Sequence, residues 1–96
     1  MTDARIYTFA DFSGRVGEPA EFQVADHRIP MSLDAAQEVP GSPRPSGGFR
    51  LEFVGPLQPA LGQGIFPVLF GEERFELFIV PIGQDARGVR YEALFF

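Results

Sequence analysis

The sequence contains no cysteine and no tryptophan, and it has a single histidine. Without cysteine the chain forms no disulfides or zinc–thiolate sites and offers no thiolate nucleophile. A lone histidine also disfavours a transition-metal site, because such sites generally take two or more nitrogen or sulfur ligands. We therefore expect neither a metal ion nor a cofactor.

Lysine is also missing, so the positive charge comes from arginine alone. Eight arginines face thirteen acidic residues, which gives a net charge of −5 and a pI near 4.7. Nucleic acids and anionic membranes select basic patches, so nucleic acid is not an expected partner. No segment approaches the ~20 apolar residues of a membrane helix, so membrane insertion is not expected either. No signal peptide precedes the first strand, which predicts a cytoplasmic protein at synthesis and leaves open export by a dedicated system.

Phenylalanine is the residue that the chain has in excess. Its eleven copies belong to a hydrophobic content of 45%, and many of them alternate with charged residues, as in the segments 49–53 and 91–96. Such alternation has the two-residue period of a half-buried β-strand. A chain of this length makes one domain, residues 1–96, and its large apolar side chains suffice for one core without covalent staples.

Turn signals separate about six strand-like segments. These are residues 21–25, 28–33, 49–54, 65–70, 74–80 and 89–96. Residues 34–39 fit either a helix or a continuation of the second strand. Phe9 and Phe12, three residues apart, predict one helical turn with Thr8 as its cap. The expected fold is all-β, a small antiparallel barrel or sandwich with one short N-terminal helical turn.

The alternation also predicts which side chains form the core. We expect one inward-facing set to be buried together, namely Phe22, Leu51, Phe53, Phe75, Leu77 and Ile79. A surplus of phenylalanines then falls on the opposite strand faces, namely Phe66, Phe70, Phe78 and Phe96. These rings require a cover, which could be the N-terminal turn, closure of a barrel or another subunit.

A loop at residues 40–48 holds three prolines and three glycines. It has no apolar side chain to anchor it, so we expect it to be mobile. Arg44, between Pro43 and Pro45, is its one charged residue and a candidate partner contact.

Catalytic chemistry is poorly represented. His27 follows Asp26, as an oriented general base would, but no nucleophile accompanies the pair by spacing. Glu72 and Glu73 fall in a hairpin turn, where acidic side chains are simply solvated. We therefore expect no catalytic residues and no enzymatic activity.

Several segments together resemble a known family. They are Phe12, Gly17 and Phe22, then residues 51–56, 61–66, 75–83 and 91–95. The sequence resembles a family of small bacterial all-β domains of unknown function, over nearly the whole chain. These residues belong to core and turns, so the resemblance implies a fold and no catalytic residues. It further implies a structural partner, because genes for such domains lie beside genes for proteins similar to phage-tail-collar fibres.

The leading hypothesis is a non-enzymatic interaction or assembly module that works by strand-edge pairing and aromatic burial. Its candidate interface residues are Arg44 and, at the end of the last strand, Leu94 and Phe96, which face away from Tyr91 and Ala93. The expected partner is another protein or further copies of the chain. The alternative hypothesis is a β-barrel that binds a small apolar or amphipathic ligand inside it.

Overall fold

The structure is a computed structural model that describes residues 7–96. It contains one helical turn and six strands. They are α1 (Ala10–Ser13), β1 (Pro19–Val24), β2 (His27–Val39), β3 (Gly48–Gly55), β4 (Gly64–Phe70), β5 (Glu73–Asp85) and β6 (Gly88–Phe95). The all-β prediction with a short N-terminal turn is confirmed.

The strands form a closed antiparallel barrel in the order β1-β2-β3-β6-β5-β4. Closure comes from a short ladder between β1 and β4, in which Glu21 pairs with Leu69 and Phe22 with Val68. Of the two predicted architectures, barrel and sandwich, the chain therefore adopts the barrel. Closure pairs the outer strands with each other and so removes most exposed sheet edges.

Two strands are longer than the sequence pattern predicted. Residues 34–39 continue β2 and pair with β3, across an irregularity between Leu33 and Ala35. Strand β5 runs on to Asp85 and pairs with β6 beyond a similar irregularity between Pro81 and Gly83. Because each irregularity interrupts the two-residue alternation, the pattern on either side of it does not read as one strand.

Aromatic rings fill the barrel interior. All six residues of the predicted inward set are buried, and the rings of Phe22 and Phe53 meet edge to face at 5.0 Å between centroids. The predicted orientation of the phenylalanines in β4 was wrong. Phe70 is buried, and Phe66 stacks on Phe22 at 6.2 Å, so both point inward. Residues 65–70 are apolar on both faces, and such a run does not reveal which face is the inner one.

The helical turn α1 plugs one end of the barrel with the fully buried Phe12. The ring of Phe12 lies 4.7 Å from that of Phe75 and 5.8 Å from that of Phe49. The predicted cap was wrong, since Phe9 holds the N-cap position without a side-chain hydrogen bond. Thr8 is instead a donor: its backbone N–H donates to the side-chain carboxylate of Asp11 at 2.8 Å.

Candidate interaction surface

Two large apolar side chains face outward from neighbouring strands. Ile65 of β4 and Phe78 of β5 are directly paired, and their exposed fractions are 69% and 52%. In β5 the residues Phe75, Leu77 and Ile79 point into the core, so strand alternation places Phe78 outside. An outward phenylalanine beside an outward isoleucine forms an apolar pair that no described residue covers.

Two further apolar side chains face outward at the end of the chain. Leu94 and Phe96 are each 56% exposed, while Tyr91 and Ala93 of the same strand are buried. The predicted orientation of the last strand is therefore present. The N-terminal helical turn, one of the expected covers for Phe96, packs in the structure on interior rings such as that of Phe70. We call Ile65, Phe78, Leu94 and Phe96 the outer apolar patch.

The two halves of this patch lie on neighbouring strands, because β5 pairs with β6. The ladder between these strands runs from Val80↔Glu92 to Asp85↔Gly88. The next outward residues beyond the first pair are Phe78 on β5 and Leu94 on β6. Phe78 and Leu94 therefore lie on the two strands just beyond the last pair of this ladder.

Tyr7 lies on the inner side of these two strands. Its hydroxyl accepts a hydrogen bond from the N–H of Glu76 in β5 at 2.9 Å. Its ring meets those of Phe75 and Phe95 edge to face, at 5.2 and 6.2 Å between centroids. The side chain of Tyr7 thus contacts both the first half of β5 and the end of β6.

Arg44 packs against other residues of the chain. Its guanidinium stands 5.5 Å from the ring centre of Phe49 and 5.6 Å from that of Phe95. It donates to the carbonyl oxygens of Gly47 at 2.7 Å and Tyr7 at 2.9 Å. Of the three predicted interface residues, the structure thus leaves Leu94 of β6 and the following Phe96 exposed, and it packs Arg44 against the chain's own barrel end.

Charged residues cover the adjoining outer face, on strands β2, β3 and β6. Arg50 lies directly opposite Leu94. Its guanidinium contacts Glu92 at 2.8 Å, Glu52 at 2.9 Å and the side-chain oxygen of Gln37 at 2.7 Å. These hydrogen bonds raise the pKa of Arg50, and the bond to Glu52 has the largest effect. Neighbouring side chains of the sheet therefore stabilise the positive charge of Arg50.

A second arginine extends this network toward the β5–β6 turn. Arg90 contacts Asp34 at 2.5 Å, Asp85 at 2.9 Å and Glu52 at 3.3 Å, while Arg87 contacts Asp34 at 2.8 Å. The hydrogen bond from Arg90 is the main cause that lowers the pKa of Asp34, followed by the one from Arg87. The pKa of Asp85 is lowered chiefly by the backbone N–H of Arg87. We call Asp34, Arg50, Glu52, Asp85, Arg87, Arg90 and Glu92 the ionic network.

The ionic network is satisfied within the chain. Its three arginines are engaged by carboxylates of the same chain, which leaves no cluster of unpaired cations for a phosphate. His27 is exposed at the start of β2. Within residues 7–96, no group of three or more histidine, aspartate and glutamate residues is placed to hold a metal ion. The same residues include no helix long and apolar enough to cross a membrane.

The sequence pattern indicated part of the outer apolar patch but not the ionic network. The outward phenylalanine at position 78 follows from alternation. The ionic network was missed, although Arg50 and Glu52 on one strand and Arg90 and Glu92 on another alternate at a spacing of two. That spacing puts each pair on one face, but the pairing of β3 with β6 was needed to join them.

Comparison with known proteins gives one match. Residues 7–95 match the model of a family described as a domain of unknown function, DUF6916. No curated protein and no solved structure matches the chain.

Proposed function

The chain belongs to the DUF6916 family, and we propose that it is a non-enzymatic interaction or assembly module. It would bind a protein partner or further copies of itself through the outer apolar patch. The observation that carries the proposal is the exposure of its four large apolar side chains, between 52% and 69%, on the neighbouring strands β4, β5 and β6 and on the residue that follows β6. Grouped exposed apolar side chains of this size are typical of interaction sites.

Burial of side chains, rather than strand pairing, would supply most of the binding free energy. The barrel is closed, so few backbone groups are available to a partner strand. Burying one large apolar side chain contributes about 1.5–3 kcal/mol. Burial of four such side chains would offset part of the free energy that association costs through lost translational and rotational entropy.

The ionic network supports the same surface as an interface. Arg50 lies directly opposite Leu94, so the apolar patch ends where paired charges begin. Protein interfaces commonly combine an apolar centre with a polar rim. The charged side chains of this rim already form ion pairs within the chain, so a partner would not have to neutralise them.

The biological setting of the proposal rests on the family resemblance in the sequence. That resemblance favours a bacterial complex, fibre-like or tail-like, for a protein made in the cytoplasm. An inventory of the genes next to the coding sequence would test it, because fibre genes should recur there.

The oligomeric state tests the proposal directly. We expect the wild-type protein to associate in sedimentation equilibrium as its concentration rises, or to retain a protein partner in affinity capture. The double substitution of Phe78 and Leu94 by serine should abolish either association while circular dichroism stays β-rich. Ile82→Ser is a matched control, because Ile82 is 47% exposed on the other half of β5.

The proposal fails under two results. One is a wild-type protein that stays monomeric and retains no partner. The other is an association that survives in the Phe78/Leu94 double variant, or that Ile82→Ser disrupts equally, because the association would then lie elsewhere.

A further inference from the structure

A cleft of about 510 Å³ lies at the end of the barrel opposite α1. It is lined by Val24, His27, Arg28, Ile29, Pro59 and Leu61. This volume lies within the range of small-molecule sites in proteins, about 300–1,000 Å³. Since aromatic rings fill the barrel interior, the cleft is the better place for a small ligand than the inside of the barrel.

The floor and one wall of the cleft are apolar and fixed by the core. Ile29 is buried, and Val24 and Leu61 pack against the same core. The β3–β4 connection that forms the wall is tied down, because the N–H of Leu61 donates to the hydroxyl of Tyr91 at 2.9 Å. Tyr91 is itself fully buried. The wall is therefore held by a core side chain and does not depend on loop residues alone.

The polar side of the cleft is basic. Among the residues 7–96 that line the cleft, the ionisable ones are His27 and Arg28, and none is acidic. Arg28 is oriented by one ion pair, from its Nη1 to Glu21 at 3.3 Å. That contact uses one nitrogen of the guanidinium, so the others remain able to donate to an anion.

We propose that this cleft binds a small amphipathic carboxylate, with an aliphatic body against Ile29, Val24 and Leu61 and its carboxylate on Arg28. Charge complementarity selects the anionic head, since a guanidinium binds a carboxylate with two parallel hydrogen bonds. The apolar floor selects the body. This inference does not depend on the assembly role, because the cleft and the outer apolar patch share no residue.

Titration with octanoate, followed by the amide resonances of the 15N-labelled protein, tests the site. We expect saturable shifts at millimolar octanoate, confined to residues around the cleft. Arg28→Gln should weaken octanoate binding about tenfold, as loss of a charge-assisted hydrogen bond does, and should leave binding of octanol unchanged. Arg74→Gln is a matched control, because Arg74 forms a surface ion pair of 3.2 Å with similar exposure.

Three results would overturn the proposal. They are no saturable shift at millimolar octanoate, shifts centred on Phe78 and Leu94, or an equal loss of affinity in Arg28→Gln and Arg74→Gln. The spectra of both variants without octanoate also report whether each is folded, so a loss of affinity cannot be confused with unfolding.

Discussion

The outer surface of the barrel differs between its two sides. On β3, the first part of β6 and the middle of β2, charged outward residues bind one another, as Arg50 does with Glu52 and Glu92. At the β4–β5 side the outward positions include Ile65 and Phe78, which are exposed and apolar. Both sides obey the same strand alternation, so the difference comes from the choice of outward residues. The ionic side is complete within the chain, whereas the apolar side gains free energy only when something covers it.

The largest effect should come from the core that both sides share. Phe53→Ala should lower the free energy of unfolding by roughly 3–5 kcal/mol, because Phe53 is fully buried. Phe78→Ala should change it by less than about 0.5 kcal/mol, since half of that side chain is exposed in the isolated chain. Chemical denaturation measures both. Equal losses would mean that Phe78 belongs to the core, and the contrast between the two sides would fail.

Arg44 provides an intermediate effect at the barrel end. The sequence predicted a mobile loop with Arg44 as a candidate partner contact, and if the loop serves recognition, replacing Arg44 should leave the melting temperature unchanged. The contacts of Arg44 with Phe49 and Phe95, and with the carbonyl oxygens of Gly47 and Tyr7, lead us to expect the opposite. Arg44→Ala should lower stability by about 1–2 kcal/mol, or several degrees in Tm. An unchanged Tm, together with weaker binding to a partner, would restore the original prediction.

The smallest effect concerns the ionic side and pH. The pKa of Asp34 is lowered by its hydrogen bonds to Arg90 and Arg87. A carboxyl with a lowered pKa in the folded state contributes stability above its unfolded pKa, about 3.9. That contribution is lost as the pH falls through the folded value. Stability measured by denaturation should therefore decline with acid below about pH 4.

Asp34→Asn is the matched variant for this measurement. It should be slightly less stable than wild type near neutral pH and should show a shallower decline in acid, because it cannot bind that proton. High salt should reduce the difference between the two proteins, since these charges are partly exposed. An identical acid response in both proteins would show that Asp34 adds no measurable stability through its charge.

The sequence was most informative where alternation was strict. It placed Phe53, Leu77 and Ile79 inside, and it placed Leu94 and Phe96 on the face opposite Tyr91 and Ala93. It failed at residues 65–70, because a strand that is apolar on both faces carries no sign of its inner face. The inner face of this strand depends on the pairing of Val68 with both Phe22 and Phe75. That pairing is tertiary structure, which local alternation does not contain.

The candidate surfaces show the same limit. The outward position of Phe78 follows from local alternation, but its neighbour Ile65 and the end of the β5–β6 ladder depend on strand order. The contacts of Arg44 could not be predicted either, because they join a loop to residues that are close in space and distant in sequence. A spacing rule reports the face of a residue and leaves its cross-strand partner undetermined.

The irregularity in β2 bears on which changes of chain length between homologues the barrel can accommodate. Leu33 pairs with Phe53 and Ala35 with Glu52, so Asp34 stands between two consecutive pairs of the ladder. A relative with one residue fewer at this point would keep the same pairs on both sides and lose only Asp34, one of the carboxylates that bind Arg87 and Arg90. The middle of this strand is therefore a place where a length change between homologues is compatible with the barrel, as it ordinarily is only in loops.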